Sequence, residues 1–134
     1  MSSGLSILYD TIRWEEKALF DAGKKKGIDI KMADCKNLFL DLGKEKDNFD
    51  TVLQRCVSYY RSLHSTAALE GKGVNVINSL NTSIFAGNKL FTHMLLQKQN
   101  IPTPFSSVAF SEEAALEALE KSGYPMVLKP TVGR

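Results

Sequence analysis

Apolar residues in this chain come in short runs separated by stretches of helical period. Leu5-Ser-Ile-Leu-Tyr9 is a compact apolar run ending at Asp10 and predicts a first buried strand. From Arg13 to Lys26, Trp14, Ala18, Leu19 and Ala22 recur at helical spacing among Glu15, Glu16 and Lys17, and Gly27 stands where a C-cap glycine belongs. Ile28 to Met32 alternates apolar and polar positions, as a half-exposed strand does, and Phe49 to Leu53 predicts a third strand after a charged loop from Asp41 to Asn48. A helix over Tyr59 to Lys72, with Leu63, Ala67 and Leu69 inward, leads to a fourth strand over Val74 to Ile77. One long helix is expected from about Thr82 to Gln99, capped by Asn81, with Ile84, Phe91, Met94 and Leu95 as its apolar stripe and Gly87 allowing a close approach.

Asn100-Ile-Pro-Thr-Pro104 interrupts that pattern and marks a linker. Beyond it, Val108 and Phe110 suggest a strand, Ser111 caps a helix with Glu112 and Glu113 in its first turn, and Gly123 ends it. Met126, Val127 and Leu128 then form a short apolar run delivering Lys129, Pro130 and a glycine turn at Gly133. The β-α-β-(loop)-β-α-β order of the first part predicts an α/β fold with a parallel sheet flanked by helices. We place the boundary at 1–87 and 88–134, where the rhythm changes.

Composition narrows the classes of function. With 134 residues, 43% of them hydrophobic, the chain suffices for one domain and part of a second. A net charge of +2, from 17 basic and 15 acidic residues, gives no electrostatic reason to expect nucleic acid or a membrane surface as partner. The run Lys24-Lys25-Lys26 sits at a helix end, where cations suit the dipole. No apolar run reaches the roughly 20 residues of a membrane span, and the start lacks a basic segment followed by a long apolar one. A cytoplasmic protein without a signal peptide is expected. Cys35 and Cys56 stand far apart without nearby ligands and read as reduced structural thiols. His64 and His93 lie on helices without a second ligand at metal spacing, so no metal ligands are assigned within the chain.

A dehydrogenase reading fails at Asp10-Thr-Ile-Arg13, which has no glycine for close approach to a pyrophosphate. Lys129 is the sharper signal, because a strand-end ammonium beside flexible backbone amides suits a polyphosphate. The same residues would also suit a surface lysine on an edge strand. Lys89, on the polar side of its helix just after Gly87, supplies a second cation for a triphosphate. Arg13 follows the first strand at the edge where α/β sheets put their ligands and is a candidate substrate contact. The pair Glu15 and Glu16 is accounted for by the helix dipole. No catalytic residue is assigned.

The run Asn78-Ser, Gly87-Asn-Lys89-Leu, Thr92, Leu95, Asn100-Ile-Pro-Thr-Pro104, Gly123-Tyr-Pro-Met-Val-Leu-Lys-Pro130 and Gly133 resembles the opening of an ATP-grasp domain. Ile7-Leu-Tyr-Asp-Thr-Ile-Arg-Trp-Glu-Glu-Lys17 and Arg55-Cys-Val-Ser-Tyr-Tyr-Arg-Ser-Leu-His-Ser65 are similar to the N-terminal domain of LysX-type, RimK-like ligases. The resemblance covers essentially the whole chain. It implies a pre-ATP-grasp domain followed by the beginning of an ATP-grasp small subdomain. It also implies an ADP-forming, Mg²⁺-dependent carboxylate–amine ligase of lysine or arginine biosynthesis. ATP would phosphorylate the C-terminal glutamate of an amino-group carrier protein, and the amine of α-aminoadipate or glutamate would attack the acyl phosphate. On the same resemblance Lys89 and Lys129 meet the ATP phosphates, and Gly133 opens the glycine-rich loop over them.

Two departures stand out: Asn88 where the family usually has Asp, and a glycine-rich loop cut short at Arg134. The metal carboxylates and adenine site are expected downstream, so the 134-residue chain alone is expected to be catalytically silent. Other ATP-grasp ligases, of the RimK glutamate-ligase or D-Ala–D-Ala type, and a non-catalytic α/β interaction module are the alternatives. Self-association into a homo-oligomer stays open.

Overall fold

The structure, a computed structural model, describes residues 4–43 and 48–133. The fold divides between Ile84 and Phe85 into two compact units. In the first, strands β1 (Leu5–Tyr9), β2 (Ile30–Asp34), β3 (Thr51–Gln54) and β4 (Asn75–Ile77) form one sheet in the order β2-β1-β3-β4. All three pairings are parallel, with Ile7 opposite Met32 and Leu53, and Val52 opposite Val76. Helix α1 (Trp14–Lys25) connects β1 to β2, and α2 (Tyr59–Gly71) connects β3 to β4. Connections leaving in opposite directions along the sheet reverse the strand order between β1 and β3.

The α/β class with a parallel sheet is the one expected from the sequence. Leu8, Val52, Leu69, Val74 and Val76 form the core cluster, which Cys35 and Cys56 also join from its edge. Each such side chain taken out of water contributes roughly 1.5–3 kcal/mol. Ile7 and Ile30 are buried too. Gly23 of α1 sits so close to Ile30 that an added Cβ would lie 2.6 Å from Ile30 Cδ1. Close helix–strand packing therefore requires glycine there.

The inward faces of both helices differ from the expected stripes. In α1 the buried residues are Glu16 and Gly23, whereas Trp14 is 76% exposed and Ala18, Leu19 and Ala22 also face outward. At Gly23 the approach to Ile30 leaves no room for a side chain, whereas Glu16 is buried through its bonds with Arg13 and Arg55. In α2 the buried residues are Ser65, Thr66 and Leu69, and Ala67 is exposed. The two hydroxyls are buried at low cost because Gln54 Nε2 donates to Ser65 Oγ at 2.9 Å and to Thr66 Oγ1 at 3.0 Å. β2 begins two residues later than expected, at Ile30, and β3 spans Thr51 to Gln54.

The expected helix from Thr82 to Gln99 is two helices, α3 (Leu80–Gly87) and α4 (Lys89–Lys98). Asn88 is extended between them, and its side chain accepts from the amides of Leu90 and Phe91. Its backbone forms an antiparallel bridge with Val132, which draws it out of the helical path. Ser79, rather than Asn81, caps α3, accepting from the Thr82 amide at 3.3 Å. Helix α5 (Glu112–Ser122) is capped by Ser111 as expected, with Gly123 at φ +73 at its end. The strands expected around Val108 to Phe110 and over Met126 to Leu128 do not form; Phe110, Val127 and Leu128 are each more than three-quarters exposed. A strand needs a neighbour for its amides and carbonyls, and among the described residues of this unit the one bridge is Asn88 with Val132. No helix among the described residues is long and apolar enough to cross a membrane.

Candidate functional site

The reversal of strand order between β1 and β3 leaves a crevice at their carboxyl ends, where α/β sheets bind ligands. Three charged residues emerge there directly from the strands: Asp10 and Arg13 after β1, and Arg55 after β3. Asp10 is 3% exposed. It accepts from the amides of Val57 (2.8 Å) and Ser58 (3.1 Å), and from Arg61 of α2 at 2.7 Å. Burial alone would raise this carboxyl, but those donors hold it below the usual carboxylate range. Asp10 thereby fixes the turn that leads from β3 into α2, whose first helical turn Ser58 caps.

Glu16 is fully buried one turn into α1. Arg13 donates to it three times, from its amide (2.9 Å), from Nε (3.2 Å) and from a terminal nitrogen (2.9 Å). Arg55 adds a fourth contact at 3.1 Å from across the crevice. Hydrogen bonding from Arg13 outweighs burial and, with Arg55, holds the Glu16 carboxyl down at about 2. Glu16 is thus ionised at any ordinary pH. Beside this network a shallow groove runs along α1, lined by Trp14, Glu15, Ala18, Leu19 and Arg55.

Arg13, the residue singled out from the sequence, therefore lies at the expected edge, but with much of its guanidinium engaged by Glu16. Sequence reasoning missed Asp10, Glu16, Arg55 and Arg61 as a connected set. The local signal was present: a carboxylate three residues into a helix, able to reach back to the N-cap amide, and charged residues immediately after two strands that prove adjacent.

In the second unit Lys89 opens α4. Its amide donates to Thr131 O at 2.8 Å and its ammonium to Gly133 O at 2.6 Å. Beside these bonds lies the Asn88–Val132 bridge, so the start of α4 and the segment around Gly133 (φ +106) form one small assembly. Lys129 is exposed on the segment leading into that assembly. Among the described residues no group of three or more His, Cys, Asp or Glu is placed to hold a metal ion.

Residues 5–84 match the family model described as the LysX preATP-grasp domain. The chain is 34% identical over 129 residues to the glutamate–LysW ligase ArgX of Sulfolobus acidocaldarius, covering 96% of this chain and 46% of that protein. It is 40% identical over 124 residues to the α-aminoadipate–LysW ligase LysX of Saccharolobus solfataricus, covering 90% and 45% respectively. Among solved structures, a RimK domain ATP-grasp protein from Sphaerobacter thermophilus superposes with a TM-score of 0.82 at 27% identity, over 98% of this chain and 50% of that one. The chain spans about half the length of the curated relatives it matches.

Proposed function

The chain belongs to the LysX preATP-grasp domain family, and on that footing we propose that it works as part of an ATP-dependent ligase joining a carboxylate to an amine. A carboxylate is a poor electrophile until one of its oxygens becomes part of a leaving group. In the proposed reaction a carboxylate oxygen attacks the terminal phosphorus of ATP, ADP departs, and an acyl phosphate results. The amine then attacks the carbonyl carbon, the C–N bond forms, and phosphate leaves. Such chemistry depends on positioning and on neutralising phosphate charge.

The observation that carries the reading is the contact between the Lys89 ammonium and the Gly133 carbonyl, which brings a cation onto a glycine turn 44 residues later in the chain. Lys89 would exchange that carbonyl for a phosphate oxygen, Lys129 would offer a second ammonium, and the backbone at Gly133 would lie over the phosphates. An added Cβ at Gly133 meets nothing within 4 Å, so its open space leaves room for such a rearrangement. Mg²⁺ is a different matter. The described residues offer it no ligand cluster, and the roles given to Lys89, Lys129 and Gly133 do not pass through a metal.

The names of the relatives support a carrier protein of LysW type as one partner of the reaction, and in our reading it brings the carboxylate. They support glutamate and α-aminoadipate alike as the other partner, which in our reading brings the amine. The test is calorimetric titration of ATP into the full-length protein and into its Lys89→Ala and Lys129→Ala variants. Each substitution should weaken binding at least tenfold; unchanged affinity in both would leave an interaction module as the better account. Turnover with carrier protein and each amino acid in turn then identifies the amine.

A further inference from the structure

Helix α1 carries its apolar stripe on the side away from the sheet. Trp14, Ala18, Leu19 and Ala22 recur at helical spacing, and all four are exposed. A stripe of this kind ordinarily lies against a core, but here the helix buries Glu16 and Gly23 instead. The charges on the helix are divided along its length, with Glu15 at the start and Lys24, Lys25 and Lys26 at the end. Lys24 lies over the ring of Phe20, 5.4 Å from its centroid. Lys25 and Lys26 have no side-chain partner among the described residues. Glu15 stands 3.8 Å from Arg13 Nε, and its Oε2 has no hydrogen-bond donor among the described residues.

We propose that α1 packs antiparallel against α1 of a second copy of this chain, about a two-fold axis level with the midpoint between Ala18 and Ala22. At about 100° per residue those two alanines lie along the centre line of the outward face. Glu15, Leu19 and Lys26 fall to one side of that line, and Trp14 and Lys25 to the other. A two-fold axis that reverses the helix direction exchanges the ends of the face and keeps its sides. Glu15 of one copy therefore meets Lys26 of the other, and Leu19 meets Leu19. Trp14 meets Lys25, whose ammonium can rest on the indole face. The alanines let the two axes approach closely, and the opposed helix dipoles favour this direction of pairing. Asp21 lies further out beside Trp14, one turn from Lys17 and one from Lys25 of its own helix, which offset its charge.

A second copy is the occupant that this face fits, because the face holds its own complement: acid at one end, base at the other and small residues between. A helix of 12 residues gives a contact at the small end of specific interfaces, so the dimer is reversible. This inference rests on α1 and stands whether or not the ligase reading does.

Trp14 is the one tryptophan of the chain, so its emission reports on the contact directly. The experiment follows the 134-residue chain by sedimentation velocity and by tryptophan fluorescence over a wide range of concentration. The expected result is a reversible passage from monomer to dimer, with the emission of Trp14 moving to the blue in step. Lys26→Glu should weaken the dimer roughly tenfold, since two exposed ion pairs become repulsive. Glu15→Lys added to that variant should restore the affinity, because the pairs re-form with their charges exchanged. Ala18→Glu should abolish the dimer, with circular dichroism showing that each variant keeps its fold. A chain that stays monomeric at every concentration, an open-ended aggregate, a dimer whose Trp14 emission does not move, or a double variant no tighter than Lys26→Glu would each overturn the proposal.

Discussion

Replacing Glu16 with Gln tests the ion network most directly, because the amide keeps the size of the side chain and an oxygen for the Arg13 amide while removing the charge. The Glu16 carboxyl falls from an ordinary 4.5 to about 2 in the fold, which at full linkage is worth roughly 3 kcal/mol. Its partners Arg13 and Arg55 have side chains 25% and 32% exposed, so solvent screens the pairing and about 1–2 kcal/mol is the reasonable share. A carboxyl depressed on folding stabilises the fold above its unfolded value. That contribution is complete above about pH 4.5 and is lost as pH falls towards about 2. In urea unfolding followed by far-UV circular dichroism, Glu16→Gln should therefore be about 1–2 kcal/mol less stable at neutral pH. It should also lose less stability than the parent over the acid window. Asp10 titrates in both proteins and cancels in the difference. Parallel acid profiles for the two proteins would refute the assignment, whatever the offset at neutral pH.

Two further substitutions probe how the elements are held. Gly23→Ala places a methyl 2.6 Å from Ile30 Cδ1 and should cost about 1–3 kcal/mol in unfolding experiments; combination with Ile30→Val should recover part of that, and strict additivity would contradict the contact. Asn88→Ala removes the acceptor for the Leu90 and Phe91 amides and should cost roughly 1 kcal/mol, read as faster amide hydrogen exchange in the first turn of α4; unchanged exchange would argue that the bridge to Val132 alone sets the start of that helix.

What could be read from the sequence, and what could not, follows the range of the interactions involved. Leu5 to Tyr9 and the helix beginning at Tyr59 were legible because apolar runs, period and caps act within a few residues. Ser111 and Gly123 likewise mark α5 by local hydrogen bonds and a positive φ. Glu16 was legible only as a dipole-friendly helix start, since its burial depends on Arg55, 39 residues away. The break at Asn88 depends on Val132 in the same manner. Met126 to Leu128 shows the converse: apolar composition favours a strand there, but propensity carries no information about whether a neighbouring strand is at hand.

Apart from Arg13, the residues that make the strand reversal a candidate site escaped prediction. Two carboxylates are buried there and three arginines meet them, and Glu15, 3.8 Å from Arg13 and lining the adjacent groove, brings the charges of the set into balance. Buried charge of this kind is seldom the cheapest way to stabilise a domain, because desolvation offsets much of the attraction. Here it fixes two flexible turns, after β1 and after β3, by tying each to a helix start. A parallel sheet delivers its loops to one edge but does not hold them; Asp10 and Glu16 do. Their hydrogen bonds convert a topological consequence of strand order into a defined polar surface, on which the side chains of Arg13 and Arg55 stay partly exposed.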